Sequence, residues 1–149
     1  MRTFVVVFSI LIFLFFTNSS HATQRQYGHT TISEVVSIYD GDTFTVNIDH
    51  WPAIVGQRIS VRISGIDTPE MRSRCASEKE RARAAKQFTV AALRKAQAVE
   101  LHNVRRDKYF RLVADVWVDG FSLGQQLLDA GLAVPYSGKT KVDWCAQTH

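Results

Sequence analysis

Ile59-Ser60-Val61-Arg62-Ile63-Ser64-Gly65-Ile66-Asp67-Thr68-Pro69-Glu70 carries an extended run directly into an acidic corner. Ile59, Val61 and Ile63 fall on one face of a strand, and Arg58, Ser60, Arg62 and Ser64 on the other. The first set belongs in a core, which leaves Arg62 free to meet a ligand. At the far end, the Pro69 ring clashes with an α conformation at Thr68, so the chain stays extended until after Pro69. The corner therefore presents the Asp67 carboxylate, the Thr68 carbonyl and the Glu70 carboxylate. Hard oxygen donors of this kind suit Ca²⁺ or Mg²⁺ rather than zinc.

Working outward, Ile32 to Tyr39 is apolar and β-branched enough for a first strand, and Asp40-Gly41-Asp42 reads as a turn. Phe44, Val46 and Ile48 alternate with Thr45 and Asn47, a second strand. Asp49 to Gly56 reads as a loop. Beyond the corner, Ser77 to Glu80 fits a capping box that opens a helix running to about Lys95, with Ala84, Ala85, Phe88, Ala91 and Ala92 as its buried stripe. A strand at Val99 and Leu101, a charged turn from Arg105 to Phe110 and a strand from Leu112 to Val118 follow. Ser122 and Gln125 form a second capping box for a short helix with Leu123, Leu127 and Leu128 inside, stopped by Gly131. From Leu132 to His149 the pattern is weak. The fold class is α+β: five strands, a helix after the third and a short helix after the fifth, the pattern of a five-stranded OB-fold β-barrel.

Residues 1–22 read as a signal peptide, with Arg2 in a basic start, an apolar run from Phe4 to Phe16 broken by Ser9, and Ser20-His21-Ala22 as a cleavage pattern. The run is shorter than the roughly 20 apolar residues of a membrane span. Residues 23–31 are then a flexible lead-in, and 32–149 the domain. Secretion or a periplasmic location is expected, for a monomer without a stable membrane span. The net charge of +4 permits an anionic partner without demonstrating one. Two cysteines, Cys75 and Cys145, favour a disulfide in an exported chain, with two unpaired thiols as the alternative.

The expected fold brings Asp42, Arg62, the Asp67–Glu70 corner and Arg111 together. Carboxylates gathered this closely repel unless one takes up a proton or a divalent cation neutralises them. Two arginines can grip phosphate oxygens through paired hydrogen bonds. A carboxylate left off the metal can take a proton from water. The set suits phosphodiester hydrolysis. Each member alone has a plainer reading: a turn for Asp40 to Asp42, a helix cap for Asp67 and Glu70, solvated surface for Arg62, a charged hairpin for Lys108 to Arg111, a packing residue for Tyr136.

Asp40-Gly41-Asp42-Thr43, Arg62, Asp67-Thr68-Pro69-Glu70, and Asp107-Lys108-Tyr109 followed by Arg111 resemble the signature of the thermonucleases, the staphylococcal-nuclease-like family. The resemblance runs from about Ile32 to Tyr136. It implies a Ca²⁺-dependent phosphodiesterase acting on DNA and RNA with little sequence preference. Asp42, Asp67 and Thr68 would hold Ca²⁺, and Glu70 would activate the attacking water. Arg62 and Arg111 would hold the scissile phosphate, and Lys108, Tyr109 and Tyr136 would contact nucleotide and terminal phosphate. The 5′ oxygen would leave, giving 3′-phosphate products.

Three features depart from the family pattern. Phe110 stands where glycine is usual before the second arginine. The sequence to His149 holds at most a stub of the family's long C-terminal helix, and a Cys75–Cys145 bridge is expected to pin the tail beneath the corner in its place. The loop between Asp42 and Arg62 is longer, and Trp51 within it is a candidate for stacking on a base. Two other functions fit the same fold: an OB-fold module that binds nucleic acid without cutting it, and an exported glycan- or protein-binding domain.

Overall fold

The computed structural model describes residues 25–146; the leader expected at 1–22 lies outside the described residues. The chain runs through β1 (Thr30–Thr31), β2 (Glu34–Ile38), β3 (Thr43–Asn47), a single helical turn α1 (Ala53–Gly56), β4 (Ile59–Ile63) and β5 (Ile66–Asp67). The long helix α2 (Ala76–Lys95) follows, then β6 (Val99–Arg106), β7 (Leu112–Val118), β8 (Phe121–Ser122), α3 (Leu123–Asp129) and β9 (Val134–Pro135). The main sheet has the order β1-β6-β7-β4-β3-β2, with β8 added to β7. Its β4–β7 pair is parallel and its other pairs antiparallel. Two residues separate β1 from β2, yet the two strands sit at opposite ends of this order. The sheet must therefore curl until its ends approach. Residues 30–38 act as one strand shared by both edges, which gives the α+β, five-stranded OB-fold architecture expected from the sequence.

The sheet begins earlier than Ile32. Thr30 and Thr31, at the end of the stretch read as a lead-in, pair with Leu101 and Glu100. The Tyr27 N–H donates to the Val104 carbonyl at 2.7 Å, and the Val104 N–H to the Gly28 carbonyl at 3.0 Å.

Alternation places the core. Leu112, Ala114, Val116 and Val118 of β7 are buried, as are Phe44 and Val46 of β3, Ile59, Val61 and Ile63 of β4, and Leu101 and Val104 of β6. Each larger aliphatic side chain buried in this way contributes about 1.5–3 kcal/mol. Helix α2 closes one side with Ala82, Ala85, Thr89 and Leu93. Phe88 and Ala92 pack partly buried beside them, whereas Ala84 and Ala91, expected inside, face solvent. Alanine fits both environments, so an alanine-rich helix does not announce its buried face.

The start of α2 also differs from expectation. Its N-cap residue is Cys75, and no side chain caps it; Ser77 lies inside the helix. Glu78, not Glu80, turns back. Its buried carboxylate needs donors and finds them in the Glu70 N–H at 2.9 Å and the Ser73 hydroxyl at 2.5 Å. At α3 the cap is half formed: the Ser122 hydroxyl accepts from the Gln125 N–H at 3.2 Å, while the Gln125 amide donates forward to Asp129. Gly131 (φ +67°) ends this helix, with Leu132 N–H reaching the Leu127 carbonyl and Gly131 N–H the Leu128 carbonyl. That is the pattern of a left-handed glycine stop.

The weakly patterned tail is ordered by pairing. Val134 and Pro135 lie antiparallel to Asp67 and Ile66, and the Tyr136 N–H donates to the Gly65 carbonyl at 2.8 Å. Beyond it Trp144 is buried, and Cys145 is bonded to Cys75 with Cα atoms 6.0 Å apart. No helix among the described residues is long and apolar enough to cross a membrane.

Candidate functional site

Asp42 ends the turn between β2 and β3, and that turn is pressed against α2. A Cβ on Gly41 would lie 2.8 Å from the Ala85 Cβ, so only glycine lets the turn sit there. Thr89, fully buried on α2, donates its hydroxyl to the Gly41 carbonyl at 2.6 Å. The turn is thereby fixed to the helix, and Asp42 with it.

Asp42 and Asp67 are each 1% exposed. Arg62, on the outward face of β4, joins them: one guanidinium nitrogen donates to Asp42 Oδ1 at 2.7 Å and another to Asp67 Oδ1 at 3.0 Å. Burial works against the Arg62 charge, but the Asp42 and Asp67 carboxylates outweigh it and raise its pKa. Asp42 Oδ1 also accepts from the Thr43 hydroxyl, and Oδ2 from the Thr68 N–H at 3.1 Å. The Asp-Thr-Pro-Glu corner is thus tied by its backbone to the Asp40–Asp42 turn, across a long gap in sequence.

Arg62, which holds this buried pair, also lines a cleft of about 450 Å³, whose lining does not include Asp42, Asp67 or Thr68. Arg62, Glu70, Lys108, Tyr109, Arg111 and Tyr136, six of the residues selected from the sequence, all line it. The Arg62 guanidinium carbon lies 6.0 Å from the Tyr136 ring centre, and that of Arg111 5.2 Å from the Tyr109 ring centre. Trp51 does not line it. The turn of α1 folds that loop back, with Gly56 against Ile48 and Trp51, and the half-buried indole packs on the core.

Arg111 is held by its own hairpin. Asp107 Oδ2 accepts from the Arg111 Nε and NH2 groups at 2.8 Å, and Asp107 Oδ1 accepts from the Tyr109 and Arg111 N–H groups. Phe110 takes φ +63°, the left-handed conformation a glycine would adopt freely. Its ring lies 3.9 Å from the Arg106 guanidinium carbon. The turn keeps the glycine geometry despite the bulky side chain, and Arg111 still reaches the cleft.

The residues that would hold the expected cation are Asp42 and Asp67, through their carboxylates, and Thr68, through its carbonyl. Two features of the site fit a hard cation. Asp67 Oδ2 is buried and has no hydrogen-bond partner. Asp40 has its pKa pushed up to about 7 by burial and by the Asp42 charge beside it. An unpartnered buried carboxylate oxygen and a carboxyl whose pKa is raised by a neighbouring carboxylate are both features that a bound cation would relieve. Among the described residues, the one group of three with ligand atoms within 4.8 Å of one another is Cys75, Glu78 and Cys145. Its sulfurs are consumed in the disulfide.

Three contributors to the site escaped the sequence reading. Asp40 passed as turn, Thr89 as one residue of an alanine-rich helix, and Lys141 as part of an unpatterned tail. The Lys141 ammonium lies 3.0 Å from Asp67 Oδ1 and 2.5 Å from Glu70 Oε1. Burial disfavours its charge, but its bonds to Glu70 and Asp67 more than offset that and raise its pKa. Nothing in the periodicity marks Lys141; only the fold of the tail brings it there.

The sequence profile described as Staphylococcal nuclease homologue matches residues 60–147. The chain belongs to that family. Curated relatives include a probable endonuclease LCL3 of Colletotrichum graminicola, 33% identical over 138 residues, covering 77% of this chain and 49% of the relative. Proteins of the same name from Phaeosphaeria nodorum and Podospora anserina are 28% and 27% identical, over 62% and 85% of this chain and 33% and 54% of the relatives. The chain therefore spans about half or less of the length of the curated relatives it matches. The profile of this nuclease homologue takes in Arg62, Asp67, Thr68, Glu70, Arg111 and both cysteines, while the Asp40–Asp42 turn precedes it.

Proposed function

We propose that the protein is an exported, Ca²⁺-dependent phosphodiesterase that hydrolyses DNA and RNA with little sequence preference. One observation carries this reading: Arg62, paired with the buried Asp42 and Asp67, lines one cleft together with Glu70, Arg111, Tyr109 and Tyr136. Membership of the nuclease homologue family and the endonuclease names of the relatives support it. The basic start and apolar run of residues 1–22 support export, and the protein is taken to act as a monomer.

Asp42, Asp67 and the Thr68 carbonyl would hold the cation, which polarises a phosphoryl oxygen when bound. Arg62 and Arg111 bind the scissile phosphate, and their charges meet the charge that grows on its oxygens. Arg111 exchanges its Asp107 partner for phosphate only in part, since its backbone and Nε remain tied to the hairpin. Glu70, exposed at the cleft mouth, takes a proton from the attacking water, and the 5′ oxygen departs to leave a 3′ phosphate. Tyr109 and Tyr136 offer ring faces to bases, and Lys108 a charge to a neighbouring phosphate.

The decisive assay incubates the protein with single-stranded DNA, duplex DNA and RNA in Ca²⁺, Mg²⁺ or a chelator. Cleavage is expected with Ca²⁺ and not with the chelator. Glu70→Gln should fold normally and lose about 10²–10⁴ in rate, the usual worth of a general base. Full activity in that variant would rule out Glu70 as the base. A second reading, binding of nucleic acid without cleavage, draws on the capture of Glu70 by Lys141 and of Arg111 by Asp107. Salt-sensitive binding with no products under any divalent ion would decide for it.

A further inference from the structure

The residues from Tyr136 to Cys145 form a strap over the acidic corner. At one end β9 pairs with β5 and the Tyr136 N–H donates to the Gly65 carbonyl at 2.8 Å. At the other, Trp144 is buried and Cys145 is bonded to Cys75. Residues 137–143 between these anchors are exposed. Lys141 alone in this span carries a positive charge into the carboxylates, touching Asp67 and Glu70 at once. The carboxylate it contacts on Asp67 is the one whose second oxygen is buried without a partner.

We propose that Lys141 is a built-in competitor for the Asp67 ligand of the cation, which holds Asp67 and Glu70 when no divalent ion is bound and must withdraw before one binds. The inference rests on the cation reading of the corner given above. A lysine ammonium is a compact charge on a flexible stem with hydrogen-bond donors on several sides. It joins one carboxylate assigned to the cation, Asp67, to the one assigned as base, Glu70, and supplies one charge where a divalent cation would supply two. The strap makes withdrawal inexpensive: its anchors stay in place, and only an exposed segment and one side chain need to move. Lys141 also ties up the carboxylate assigned as base. Its departure on cation binding therefore frees Glu70 at the moment the phosphate site is completed. The protein is kept idle where divalent ions are scarce, and the apparent affinity for the ion is set by how often Lys141 is in place.

Calcium titration by calorimetry tests this without reference to turnover, on the full chain as wild type, Lys141→Met, Lys141→Arg, Lys139→Met and Asp67→Asn. A site masked nine times in ten loses about tenfold in apparent affinity. Lys141→Met should therefore bind Ca²⁺ several-fold to tenfold more tightly than wild type, while Lys141→Arg stays close to it. Lys139→Met removes the same charge from the same exposed strap and should change little. Asp67→Asn should abolish the binding, which places the ion at the corner. Equal affinity in wild type and Lys141→Met overturns the proposal and leaves the cation reading intact. So does equal tightening by Lys139→Met, which would reduce the effect to net charge. Absence of binding in every variant, Lys141→Met included, overturns the cation reading itself and the proposal with it.

Discussion

A Cβ on Gly41 would stand 2.8 Å from the Ala85 Cβ and 2.9 Å from the Thr68 Cγ2. Neither neighbour can give easily, since one is the stub of a buried helix residue and the other belongs to the corner. Gly41→Ala must push the turn away from α2, stretching the 2.6 Å bond from the Thr89 hydroxyl and carrying Asp42 out of line with Arg62. Overpacking of this kind costs typically about 1–3 kcal/mol. The expected outcome is a lower urea midpoint together with a loss of Ca²⁺ affinity larger than the stability change alone would give. A variant as stable as wild type would show that the turn is not clamped as described. The same residue shows where sequence reading stops. Asp-Gly-Asp announces a turn in any protein, but that the glycine is there for want of space, and not for a left-handed φ, depends on a helix that comes more than forty residues later.

Elements differ in how far their own sequence specifies them. The strands from Thr43 to Asn47, Ile59 to Ile63 and Leu112 to Val118 were legible because alternation writes burial directly into the chain. The cap of α2 was not. Ser77 to Glu80 has the right letters, yet tertiary donors at Glu70 and Ser73 recruited Glu78 instead. The β6–β7 hairpin lies between these cases: the sequence shows a charged turn, but nothing in its pattern marks Asp107 as the organiser. Burial pushes the Asp107 pKa up, but the N–H groups and guanidinium of Arg111 and the Tyr109 N–H pull harder, and the net shift is below the ordinary 3.8. A folded pKa below the unfolded one means that the stabilisation is complete above the unfolded value and is lost as pH falls through the folded value. Acidification through the carboxylate range should therefore release Arg111 before the sheet unfolds. NMR titration of the Tyr109 and Arg111 amides and the Arg111 Nε–H would follow it, with an apparent pKa below that of a free aspartate. Resonances that do not move until global unfolding would refute the assignment of Asp107 as the hairpin's clasp.

At the scale of the whole molecule, the site is assembled from a β2–β3 turn, a strand and its corner, a distant hairpin and a tail, so its geometry is only as firm as the least tethered of them. The tail is that element. It contributes a two-residue strand, one buried tryptophan and the Cys75–Cys145 bond, which closes a span of 70 residues. In the chain-entropy account a loop of this length stabilises the fold by about 4 kcal/mol, chiefly by restricting the unfolded chain. For a domain whose total stability is of order 5–15 kcal/mol, that is a large share. Replacing both cysteines by serine should lower the unfolding free energy measured by urea titration by about 4 kcal/mol, with a steeper slope, because the unlinked unfolded chain exposes more surface. The loss should not fall evenly. Amide exchange in the strap and at Glu70, whose N–H is held by the Glu78 carboxylate beside the bond, should rise far more than in β4 and β7, which the core supports independently. Uniform acceleration across the sheet would mean that the bond stabilises the fold as a whole and does not position the corner. Exchange confined to the strap and corner would mean that this small barrel carries its active surface on a stable sheet and uses one covalent link to hold the remaining edge of that surface in place.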